Sequence, residues 1–105
     1  MRLDRNTTNP KRGKYALLKL RTKIKDPEEG QQVQRAVDIL IRTGVLDLGN
    51  TPDTDFFVIR LKDKYAGPAL HAYAEVAKAD DLEYAAEVDA LAQAADRMMP
   101  KRMPD

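Results

Sequence analysis

Cysteine and serine are both absent from the 105 residues. Without cysteine there is no disulfide, no thiolate metal site and no cysteine nucleophile. Without serine the commonest hydroxyl nucleophile is missing as well. Histidine occurs once, at His71. The five glycines match neither a P-loop nor a dinucleotide fingerprint. No stretch approaches the apolar length of a membrane span and no signal peptide is visible, so the expected compartment is the cytoplasm. There is no internal repeat. Lys14-Tyr15-Ala16 and Lys64-Tyr65-Ala66 echo each other, but three residues recur easily by chance.

What is present fits one globular domain. The length suits a single core, with 43% apolar and 33% charged residues. The net charge of +1 hides an asymmetry: residues 1–25 hold nine bases and one acid, Asp4, while the remainder holds nine bases and sixteen acids. A basic arm on an acidic body suggests an anionic partner. The plainer reading is an arm folded over its own acidic helices or over those of a second subunit.

The chain is organised around Thr51 to Ala79, which holds both phenylalanines, two of the four tyrosines and the histidine. It reads as one long helix kinked near Pro68. Thr51 suits a cap, Pro52 the first helical position, and Asp53 and Asp55 the positive end of the dipole. At about 100° per residue, Phe57, Val58, Leu61, Tyr65, Ala69, Ala72, Tyr73, Val76 and Ala77 share one arc. Arg60, Asp63, Lys64, His71, Glu75 and Lys78 share the opposite one. Phe-Phe-Val-Ile-Arg-Leu also reads as a buried strand.

Around this stretch, residues 1–13 form an irregular basic arm and 99–105 a short tail. Lys14 to Lys25 reads as a helix from its composition, with an alternating strand as competitor. Asp26-Pro27-Glu28-Glu29 opens a helix whose stripe is Val33, Ala36, Val37, Leu40 and Ile41, and Gly44 suits a left-handed cap after it. Asp80 with Glu83 resembles a capping box for a last helix. The expected fold is therefore all-α, a compact bundle of about four helices: 14–25, 27–43, 52–79 and 81–98. The alternative is α+β, with a two-stranded ribbon of 15–21 and 56–61 packed on three helices. The expected core is Leu17, Leu20, Val37, Leu40, Ile41, Phe57, Leu61, Tyr65, Val76, Val88 and Leu91. Alanine-rich helix faces and the opposed charges of arm and body suggest a homo-oligomer.

The opening RGKYALLKLR (12–21), the block DFFVIRLKDKYAGPALHAY (55–73), the run DLEYAAEVDALA (81–92) and the ending Pro104-Asp105 together resemble a group of small proteins encoded by tailed bacteriophages. The resemblance covers most of the chain. It implies an accessory protein made in a bacterial cytoplasm, of a kind that often counters host defence. Such proteins bind a host protein or sequester a signalling nucleotide. The resemblance carries no catalytic residues.

Chemistry in the residues themselves is sparse. His71 with Glu75 four residues on could be a base with an orienting carboxylate; a surface contact one helical turn apart is the plainer reading. Asp47, Asp53 and Asp55 could gather a hard cation, but they lack calcium-loop spacing and suit turns and caps better. No cofactor is implied. The basic residues lead further. Arg60 and Lys64 lie on the polar arc beside Tyr65, and Arg12, Lys14 and Tyr15 lie at the end of the arm. Bases grip phosphate and tyrosine stacks on a nucleobase, so these six are the expected anion-binding residues. In the plainer reading the tyrosines are core residues with wet hydroxyls and the bases only solvate the surface. The leading expectation is a non-enzymatic protein that binds an anionic nucleotide-like ligand or a host defence protein. A small nucleic-acid-binding protein using its arm is the alternative, against which the acidic body argues.

Overall fold

The structure, a computed structural model, describes residues 2–7 and 13–104. Among the described residues the regular structure is helical: α1 (Pro27–Arg42), α2 (Ala66–Ala77) and α3 (Leu82–Asp96). An isolated parallel bridge joins Asp63 to Arg102. The all-α expectation holds in this form, with three helices where four were expected. The chain divides into two compact units, one running from Leu17 to Phe57 and the other holding the residues on either side of it.

In the unit of residues 17–57, α1 forms where the sequence signals are strongest. The Asp26 carboxylate accepts the Glu28 N–H at 3.2 Å, and Pro27 takes the first position. Gly44, at φ 79°, receives the chain in the left-handed region as expected. The helix expected over 14–25 does not form; that stretch is irregular, with a turn closed by Thr22 N–H to Lys19 O at 3.2 Å. Leu18 falls off the face that Leu17, Leu20 and Ile24 would share, and Asp26-Pro27 starts a separate helix directly after it. No residue from 17 to 57 is buried, and α1 has none.

In the other unit, α2 and α3 form an antiparallel hairpin. The expected helix over 52–79 shrinks to Ala66–Ala77 because of Pro68. Inside a long helix that proline would lose a hydrogen bond and clash with the carbonyl of Lys64, costing about 3 kcal/mol. Starting at Ala66 places it in the first turn, where neither cost arises. Residues 55–60 are irregular instead, and the alternative ribbon does not form either, since neither segment is a strand. At α3 the cap is Asp81, accepting the Tyr84 N–H at 3.0 Å, and not Asp80.

The hairpin packs on small side chains. Ala66, Ala74, Ala85, Val88, Ala92 and Ala95 are the buried apolar residues. Of the expected core only Val88 is among them. Leu61, Val37, Leu40 and Leu91 are half-buried, whereas Leu17, Leu20, Ile41, Phe57, Tyr65 and Val76 are exposed. The helical phase had been anchored on Phe57 and Leu61, which precede the helix. The face of α2 that meets α3 is Ala66, Gly67, Leu70, His71, Ala74 and Ala77. The described parts of the arm and tail are tied down. The Leu3 N–H donates to Glu87 at 2.9 Å, and Lys64 and Arg102 exchange backbone bonds of 2.7 and 2.9 Å with Arg102 and Lys62.

Candidate functional site

Of the six expected anion-binding residues, Arg12 lies outside the described residues. Arg60, Lys64 and Tyr65 belong to the irregular stretch and turn before α2, so no helical arc aligns them. Lys14 and Tyr15 sit at the end of the arm, held by Lys14 N–H to Asp4 at 2.8 Å and by Asn6 Nδ2 to Tyr15 O at 2.7 Å. No hydrogen bond, ion pair or ring contact joins Lys14 or Tyr15 to Lys64 or Tyr65. Each lysine instead lies over its own neighbour. Lys14 Nζ is 5.4 Å from the centre of the Tyr15 ring, and Lys64 Nζ is 6.0 Å from that of Tyr65. Both are cation–π distances. Both tyrosines are exposed, Tyr15 by 76%, so neither is the core residue that Tyr65 was expected to be.

His71 faces α3 rather than solvent. Its Nε2 lies 2.8 Å from Asp96 Oδ2 and its Nδ1 3.1 Å from Asp89 Oδ1. Asp89 also accepts from Gln93 at 2.9 Å. The hydrogen bonds to Asp96 and then Asp89 raise the imidazole pKa above its usual 6.5. Bonds from Gln93 and then His71 hold Asp89 below the usual 3.8. The expected partner Glu75 bonds Lys78 instead, at 2.9 Å. When protonated, the imidazole donates from both ring nitrogens, one to each carboxylate. It cross-links the hairpin. At the hairpin's other end the Tyr73 and Tyr84 hydroxyls are 3.0 Å apart, their rings edge-on at 6.2 Å.

The aspartates of residues 47–55 act in turns. Asp47 accepts from the Gly49 N–H at 2.9 Å, and Asp55 accepts from the Phe56 N–H at 2.9 Å. The Thr54 and Asp55 N–H groups both reach Thr51 O, and the two threonine hydroxyls are 2.7 Å apart. Gly49 holds φ 64°, and the Phe56 ring lies against it where a Cβ would project. Phe56 is thereby turned onto its own loop. Phe57, the next residue, is 87% exposed.

In the same unit the basic stretch passes along α1 and leaves a groove of about 450 Å³. It is lined by Leu18, Leu20 and Ile24 on one wall and Val33 and Val37 on the other, with Lys19, Thr22 and Gln34 at its edges. Sequence reasoning missed this groove because it made 14–25 a helix. The competing non-helical reading of 14–25 was the signal that could have found it.

Comparison with known proteins matched no protein-family model, no curated protein and no solved structure. Among the described residues no helix is long and apolar enough to cross a membrane.

Proposed function

We propose that this chain is a non-enzymatic accessory protein that works by binding another protein through residues 17–57. The observation that supports the reading is the amphipathic helix α1 with no buried residue. Its apolar side chains and those of the segment beside it stay open to solvent. A contiguous exposed apolar surface rimmed by charge is the mark of a binding site for protein. The resemblance to small tailed-phage proteins gives the context: a bacterial cytoplasm, and a host defence protein as one target class. His71, held at both nitrogens, supports a structural rather than a catalytic use of the histidine.

The test is a solution probe of the groove. An apolar fluorescent dye should brighten with the parent chain and not with a Val33→Asp/Val37→Asp variant of unchanged helicity. A protein target should displace the dye and cross-link within 17–57. A parent that binds no dye, and whose cross-links to any protein avoid these residues, would sink the reading.

The second reading is an anionic, nucleotide-like ligand at Lys64 and Tyr65, Lys14 and Tyr15, with Arg60 and Arg12 assisting. The two exposed lysine–tyrosine cation–π pairs favour it, since each sets a cation beside an open ring. Loss of one charge-assisted bond costs about 1.5–3 kcal/mol. Lys64→Glu should therefore remove nucleotide binding in calorimetry while a short duplex tests the arm. A parent that binds neither ends this reading.

A further inference from the structure

Resting on that protein-binding reading, we propose that the protein seated on the groove is a second copy of this chain. Phe57 of each copy enters the groove between residues 18–24 and α1 of the other.

The knob and the groove lie in the same unit and are both preformed. Phe57 is held outward by its loop. Gly49, the Asp47 and Asp55 turns and the Thr51–Thr54 contact fix the backbone, and the Phe56 ring lies against Gly49. Phe57 is the most exposed large apolar side chain described. The groove has room for a phenyl ring and offers five aliphatic side chains to it. A pre-ordered aromatic entering an apolar pocket is the usual energetic centre of a protein interface.

Charge selects the same occupant. Residues 17–25 carry Lys19, Arg21, Lys23 and Lys25 and no acid, while residues 47–57 carry Asp47, Asp53 and Asp55 and no base. No ion pair joins these four bases to these three acids within the chain. A second copy brings its acidic loop, with Phe57 at the end, to the basic stretch 19–25, of which Lys19 reaches the edge of the groove. Two symmetry-related contacts of this kind close a dimer.

The test is sedimentation equilibrium of the full chain at micromolar concentrations. The parent is expected to be a dimer. Phe57→Ser should raise the dissociation constant at least about tenfold, the loss of a hot-spot side chain, with the helices α2 and α3 still protected from hydrogen exchange. Val33→Glu should block the groove and also yield monomers. Mixing the two variants leaves one intact knob and groove, so a heterodimer should reappear. Asp53→Lys/Asp55→Lys should weaken the dimer, and Arg21→Glu/Lys23→Glu should restore it. A monomeric parent, or a Phe57→Ser dimer as tight as the parent, would overturn the inference. A monomeric parent that still binds apolar dye at 17–57 would leave the protein-binding reading standing with a different protein as target. A monomer that binds no dye would remove both.

Discussion

His71 Nε2 and Asp96 Oδ2 lie 2.8 Å apart, joining the middle of α2 to the end of α3. With Asp89 on the other ring nitrogen at 3.1 Å, one imidazole holds together a hairpin whose buried side chains are otherwise five alanines and a valine.

The first prediction concerns pH. The folded pKa of His71 lies above its usual 6.5, so its stabilising effect is full below 6.5 and is lost as pH rises through the raised value. Asp89 is depressed below its usual 3.8, so its contribution is present above 3.8 and lost as pH falls through the lowered value. Both operate together between these limits. Tm should decline on the alkaline side of that window, and His71→Gln should flatten the decline. A parent whose Tm is level across neutral pH would contradict this role.

Gly67 is the second test. A Cβ there would run into the Asp96 carboxylate that holds His71. Gly67→Ala gains up to about 1 kcal/mol of helix propensity but must displace Asp96. The expected signature is therefore a His71 pKa that moves back toward its usual value in a proton NMR titration. Stability itself should change little or fall.

Third, the α2–α3 seam depends on small residues. Ala92 is fully buried, at 0% exposure. Ala92→Leu should overpack the seam and cost about 1–3 kcal/mol or more. Leu82→Ala, at an exposed position of the same helix, should stay within about 0.5 kcal/mol. Urea denaturation of both compares them directly.

Much of this hairpin was legible in the sequence, and the reasons it was only partly so are local. The starts of α1 and α3 and the turn at Gly44 follow from side chains that satisfy backbone groups within a few residues, so they can be read one position at a time. Asp81 rather than Asp80 caps α3 because either aspartate meets the local rule, and only the packed helix chooses. The helix over 52–79 failed because apolar phase was counted through Gly67-Pro68, where covalent geometry outweighs periodicity. The helical alignment of Arg60 with Lys64 went with it, since α2 begins only at Ala66. The partners of His71 were not legible at all. Asp89 and Asp96 are 18 and 25 residues away, and only the hairpin brings them close.

The fourth prediction returns to the loop. Gly49→Ala puts a side chain at φ 64° and into the Phe56 ring. The left-handed conformation alone costs about 1–2 kcal/mol. The loop should rearrange, Phe57 should lose its fixed orientation, and dimerisation should weaken, while the pH response at His71 stays intact. Sedimentation and the NMR titration, run on the same sample, separate the two units.

The central claim is that residues 17–57 form a surface completed by association, and hydrogen exchange across a concentration series measures it most directly. Amides of α1 should exchange fast in dilute solution and slow markedly as concentration rises, while those of α2 and α3 remain protected throughout. Protection of α1 equal to that of α2 at the lowest concentration, and unchanged at the highest, would contradict the claim.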